Sequence, residues 1–274
     1  QMLSTERPDK AANHLLSGRV VVIVNGSPYV LIMPCVFVDF LSSAEDPNLK
    51  FQYANLLKFV RLVAFFITLL LPGLYVAITN FHQEIIPTEL LFAIVASRES
   101  VPFPIIVEIL AMEISFELIR EASLRVPSPI GTTIGIIGAL ILGQAAVEAS
   151  IVSPILIIIV AITGITSFAI PDFYLSFHLR IVRFLYIIAG FLAGFLGIGI
   201  VLFSHLVLLC SLKSFGVSYL APFVPATSKN NKAYFMPPFW NREKRPDFLN
   251  TKRPQKEARI SMKWKYKIGG NNGN

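Results

Sequence analysis

Charge is what this sequence has least of. Only 15% of its 274 residues are Asp, Glu, Lys or Arg, while 54% are apolar; a globular domain usually carries about 25% charged residues. That shortage excludes an ordinary soluble protein. Cysteine is nearly absent as well, with only Cys35 and Cys210, far apart and in apolar surroundings. They suit neither a disulfide framework nor a zinc site, and read as small hydrophobic side chains. His14, His82, His178 and His205 have no Cys, His or carboxylate at metal-ligand spacing. The glycine patterns of dinucleotide and P-loop sites and the nucleophile elbow are missing. The expectation is a protein that is not an enzyme and holds no metal or cofactor.

In place of charge there are long apolar runs. Stretches of 22, 22, 23 and 29 residues without a charged side chain follow Arg61, Arg125, Glu148 and Arg183. A helix needs about 20 mostly apolar residues to cross the hydrocarbon core. The expected fold is therefore an α-helical integral membrane protein with about four transmembrane helices, near Leu62–Thr79, Ile130–Val147, Val152–Ile170 and Phe184–Leu209. Pro72-Gly73 is predicted to interrupt the first span. Glu148 to Ser150 should turn the second span tightly into the third. Between the first two spans, Pro87 and Pro102-Phe103-Pro104 bound a mixed segment ending in an amphipathic or intramembrane helix.

The ends of the chain differ from this middle. Gly18 to Val24 is rich in β-branched residues, and Asn25-Gly26-Ser27-Pro28 separates it from the apolar run Tyr29 to Met33. Two such runs joined by Asn-Gly predict a β-hairpin. Position 1 is not Met and no signal peptide follows, so the chain is expected to continue a longer protein. Residues 1–55 then read as the end of a soluble N-terminal domain, 56–225 as the transmembrane domain and 226–274 as a basic tail. That tail has twelve Lys/Arg against three acidic residues, and the rest has twelve against fourteen, so the tail accounts for the net charge of +7. Such a segment beside a membrane protein favours the cytoplasmic side and anionic lipid rather than nucleic acid. Lys58 and Arg61 place the start of the first span on that side too, which fits an even number of spans; Arg180 and Arg183 fit if they pair with acidic residues, or if the mixed segment also crosses the membrane and changes the count.

Three groups of residues stand out. In Ile105–Arg125, Glu113, Glu117, Arg120 and Glu121 fall within an arc of about 100° on a helix, and Glu108 points elsewhere. This stripe suits either a helix in the headgroup region or the lining of an aqueous vestibule that concentrates cations. Gly131, Gly135, Ala139 and Gly143 recur every four residues, a stripe of small side chains for close helix packing. Gln144, Val147 and Glu148 end the second span, with the amide and carboxylate sharing a face. A carboxylate near membrane depth marks an ion path unless it is merely interfacial.

The order of motifs resembles the A subunit of the GerA-type spore germination receptors. The residues concerned are Glu6 to Asp9 with Leu15 to Val20, then Ser97 to Pro104 leading into Met112-Glu113 and Phe116 to Ala122. Ile134 to Val147 followed by Ile151 to Pro154, and Arg245 to Asn250 in the tail, complete the match. Ser100 and Ser123 stand where the family often has glycine. The resemblance implies a germinant-receptor subunit in the spore inner membrane with a cytoplasmic C-terminal tail. It also implies assembly into a homo-oligomer, expected as a pentamer, that forms a ligand-gated cation channel. A transporter-like B subunit and a lipoprotein C subunit are the implied partners, together with membrane lipids. A related spore membrane protein, encoded beside the dipicolinic-acid channel proteins, shares the same motifs. The alternatives are a non-conducting scaffold and a small-solute transporter subunit. Against the transporter, the Pro72-Gly73 interruption has no counterpart in the fourth span, whereas transporters pair broken helices between halves.

Overall fold

Proline sets the helix starts in this chain, because it fixes φ and has no N–H to satisfy in the first turn. The computed structural model describes residues 2–126, 135, 138, 141–226, 234–238 and 245–252. Contacts divide the chain into two compact units, Gln1–Lys58 with Leu208–Asn274, and Phe59–Val207.

In the first unit, β2 (Val20–Ile23) pairs antiparallel with β3 (Val30–Met33), with Ile23 opposite Val30 and Val20 opposite Met33. The expected hairpin is present, but residues 24–29 make its connection longer than a two-residue turn. Gly26 supplies the left-handed conformation at φ 83°. A third strand, β1 (Leu3–Thr5), pairs with the other edge of β3. It was not foreseen, since three residues carry too little alternation to read. Helix α1 (Pro8–Leu16) packs on this sheet, and α2 (Phe37–Phe40) follows it. Leu3, Ile32, Cys35 and Leu41 are fully buried.

Residues 213–219 join this unit. Strands β4 (Lys213–Ser214) and β5 (Val217–Ser218) pair with each other. The Cys35 N–H donates to Ser214 Oγ at 3.1 Å and the Phe37 N–H to the Tyr219 carbonyl at 2.8 Å. Lys58 Nζ donates to the Tyr234 carbonyl at 3.0 Å, and Asn55 exchanges two hydrogen bonds with the backbone of Met236. Of the expected tail, the described residues Tyr234 and Met236 thus contact Lys58 and Asn55.

The second unit is helical. Helix α3 (Phe51–Phe81) enters it from the first; α4 (Thr88–Arg98) and α5 (Ile105–Arg125) begin directly after Pro87 and Pro104. Helix α6 covers residues 141–148 as described, α7 is Pro154–Phe168 and α8 is Phe173–Ser211. Val76, Ile109, Met112, Leu156, Val160 and Ile187 form a continuous buried core. Among the described residues, α3 and α8 are long and apolar enough to cross a bilayer. Of the four or so expected spans, the described residues supply these two; α7 is a shorter apolar helix of 15 residues, and half of the expected second span lies outside the described residues.

The predicted interruption falls in a different helix. Helix α3 runs through Pro72 without a break, while α8 is bent at Ala193-Gly194, where Gly194 takes φ 58°. A Cβ on Gly194 would lie 2.8 Å from His82 Cε1. Gly73 serves contact instead of bending. A Cβ there would meet the Tyr186 carbonyl oxygen at 2.7 Å, and one on Gly190 would meet the Gly73 carbonyl oxygen at 2.5 Å. Two glycines thus let α3 and α8 touch backbone to backbone, as close helix packing in lipid requires.

Candidate functional site: a ladder of buried ion pairs

Three glutamates of α5 reach three arginines. Glu108 accepts from Arg98 Nη2 of α4 at 3.0 Å, and its second oxygen accepts from the Ser153 N–H, just before α7, also at 3.0 Å. Glu113 pairs with Arg183 at 2.5 Å, and Glu117 pairs with Arg180. Rising numbers on α5 meet falling numbers on α8, so the two helices run antiparallel along the ladder. The spacing suits this, because four residues on one helix and three on the other rise about 6 and 4.5 Å. Arg120 places its guanidinium 4.5 Å from the centre of the Phe168 ring, a cation–π contact with α7.

The ladder is buried in an apolar body. Glu108 and Glu113 are each 1% exposed, and Arg183 is 3% exposed. Desolvating such charges costs several kcal/mol each, recovered only by close pairing. Pairing is also incomplete: Glu113 Oε1, Arg183 Nε and Arg98 Nε are buried without a hydrogen-bond partner. Native interiors leave few such groups unsatisfied. A concentration of them around one ladder marks this core as the chemically unusual part of the unit.

The residues singled out from sequence fall in three places. Glu113 and Glu117 lie in the ladder, neutralised by arginines of α8, while Glu121 is exposed beyond it. Gln144 and Glu148 are exposed on α6 and Val147 is half-buried. Helix α6 ends at Glu148, and Ser150 turns the chain at φ 54° so that the Ile151 N–H returns to the Ala146 carbonyl. Of the small-residue stripe, Gly135 faces Ser123 of α5 and Gly143 faces Ile157 of α7, both at ordinary van der Waals distance from an added Cβ. Gly131 and Ala139 lie outside the described residues. Among the described residues no group of His, Cys, Asp and Glu is arranged to hold a metal ion. The reading of the sequence allowed Arg180 and Arg183 to pair with acidic residues without saying which, and assigned Arg98 no partner. Their signal was the i,i+3 spacing of Arg180 and Arg183, which matches the i,i+4 spacing of Glu113 and Glu117.

The first unit holds one comparable pair. Arg19, 6% exposed, grips Asp39 through both guanidinium nitrogens, one at 2.8 Å, and Asp39 also accepts the Val36 N–H at 2.8 Å. Burial would raise the Asp39 carboxyl, but the Arg19 charge and these hydrogen bonds hold it below the ordinary value. Burial pushes the Cys35 thiol up to about 11.

Fold and site together define a mostly helical protein with two bilayer-length helices and a charged ladder inside its apolar unit. Residues 1–248 match the family model described as Bacillus/Clostridium GerA spore germination protein. The chain belongs to the GerA family of spore germination proteins, as its motifs suggested. It is 49% identical to spore germination protein KA of Bacillus subtilis over 250 residues, which cover 91% of this chain and 46% of that protein. It is 42% identical to spore germination protein GerLA of Bacillus cereus, covering 92% of this chain and 51% of that protein. An uncharacterized membrane protein of Bacillus subtilis, YfkQ, is 41% identical across 94% of this chain. The chain spans about half the length of these relatives. No solved structure matches it.

Proposed function

We propose that this chain is the membrane part of a germinant-receptor A subunit, and that copies of it surround a cation pathway in the spore inner membrane. Family membership supports the receptor role, with a transporter-like B subunit and a lipoprotein C subunit as partners. Helices α3 and α8 supply the bilayer-length segments. The amino-terminal stretch and the tail share one unit, which favours both ends on the same, cytoplasmic, face.

One observation carries the channel reading: Gln144 and Glu148 are exposed on one face of α6, at a turn inside an otherwise apolar sequence. An exposed carboxylate there is costly against lipid and favourable against water. In a ring of copies, expected as a pentamer, this face would present one amide and one carboxylate per subunit, with Val147 beside them as a constriction that closes by dewetting. The acidic stripe is the weaker candidate for attracting cations, because Arg183 and Arg180 neutralise Glu113 and Glu117. The proposed activity is conduction, not catalysis.

The scaffold and transporter readings make different demands. A transporter needs matched broken helices, and here α8 is bent while α3 is not. Potassium flux from vesicles separates the possibilities. Val147→Ala should leak without a germinant, and Glu148→Gln should lower cation selectivity. Wild-type flux and selectivity in both variants would move the pathway off α6.

A further inference from the structure

A cavity of about 690 Å³ lies between the last turn of α3 and α4, lined in part by Thr79, Gln83, Phe92, Val95, Arg98 and Glu99. Its chemistry is divided. Arg98 and Glu99 bring opposite charges to its lining, and Leu91, Phe92, Ile94 and Val95 bring apolar surface. Only one guanidinium nitrogen of Arg98 serves Glu108, and its Nε is buried without a partner, so the group retains donor capacity. The Gln83 side-chain amide is fixed by donating to the Thr79 carbonyl at 2.7 Å. Phe92 is 72% exposed and Val95 58%, unusual for such side chains unless lipid or a partner covers them. The cavity sits just before the end of α3 at Phe81, where a bilayer-length helix meets the headgroup layer.

A ligand for this site needs an anionic group for Arg98, an ammonium for the adjacent residue Glu99, and an apolar body for Phe92 and Val95. We propose that the cavity is a headgroup site for phosphatidylethanolamine. The phosphate lies on Arg98, where planar N–H donors suit phosphate oxygens, and the amine lies on Glu99. The acyl chains run along the exposed face of α4. Arg98 also holds Glu108, and Glu108 holds the Ser153 N–H at the start of α7. A lipid phosphate on Arg98 is therefore two contacts from the turn that follows Gln144 and Glu148.

The inference rests on the membrane reading above, so flotation of the full chain with vesicles comes first; failure to float overturns both. The test is native mass spectrometry of the delipidated chain in detergent, offered equal amounts of phosphatidylethanolamine and phosphatidylglycerol with matched acyl chains. Wild type should retain one phosphatidylethanolamine per chain with about tenfold preference, the effect of one charge-assisted contact. Glu99→Gln removes an exposed carboxylate without touching the ladder, and should erase that preference. Arg98→Lys keeps a charge beside Glu108 but loses the planar fork, and should weaken retention of both lipids. Free O-phosphoethanolamine at millimolar concentration should not displace the lipid. Equal retention by wild type, an unchanged preference in Glu99→Gln, or displacement by the free headgroup would each overturn the site, even where potassium flux is normal.

Discussion

The two units solve the same problem, a buried arginine beside a buried carboxylate, in different ways. Around Arg19 and Asp39 the carboxylate is saturated: both oxygens meet the guanidinium, and one also takes the Val36 N–H. Around Glu113 and Arg183 one carboxylate oxygen remains unpartnered, whereas a buried guanidinium Nε lacks a partner in both pairs. The first arrangement fastens α2 to the sheet that carries Arg19. The second occurs within the helical unit, in a row with two further pairs, and leaves polar capacity unspent where water is scarce. Saturation suits a fixed joint, whereas unmet hydrogen bonds suit a core that has a second arrangement available to it.

Removing one member of the ladder is the most damaging way to test that contrast. Arg183→Leu strands the Glu113 carboxylate in an apolar interior, and such a change costs about 3–5 kcal/mol. Replacing both residues by leucine should recover most of that loss, because a buried pair is worth little more than well-packed apolar side chains. Thermal unfolding of the single and double variants in detergent measures this. A double variant as unstable as the single one would mean that the charges themselves hold α5 to α8.

A smaller effect separates two kinds of glycine. Gly190→Ala drives a methyl into the Gly73 carbonyl oxygen, 2.5 Å from the new carbon, so α3 and α8 must part. Overpacking of that kind costs about 1–3 kcal/mol. Gly135→Ala meets Ser123 at 3.5 Å, ordinary contact, and should be neutral or slightly stabilising through better helix propensity. Equal melting temperatures for the two variants would show that the Gly73–Gly190 crossing does not hold the helices together.

These sites differ in how far the sequence disclosed them. Helix starts after Pro87 and Pro104 were legible because proline acts locally. The hairpin was legible because Asn25-Gly26 separates two β-branched runs. Pro72-Gly73 misled: proline is tolerated inside helices whose neighbours satisfy the freed groups, and the bend went to Gly194 of α8. The stripe on α5 was visible from its period, but its neutralisation was not. Glu113 and Arg183 are seventy residues apart in sequence, and no local rule assigns one to the other. The exposed face of Gln144 and Glu148 was legible as a polar pair in an apolar stretch, while what it faces depends on copies that one chain does not contain.

The smallest change over the usual working range should come from pH acting on the first unit. The Asp39 carboxyl is held below its ordinary value of 3.8 by Arg19, so the folded state binds that proton less readily than the unfolded chain. A group of this kind adds stability above its unfolded value and loses it as pH falls through its folded one. Unfolding of wild type followed by denaturant should therefore show no pH dependence from Asp39 between pH 7 and about 5, where its contribution is complete, and a decline below about 4. Asp39→Asn cannot titrate, so it should start less stable at pH 7 and approach wild type as acid removes the wild-type advantage. Parallel pH curves for the two proteins would mean that the Asp39 charge contributes nothing to the joint, and that the Val36 N–H holds α2 without it.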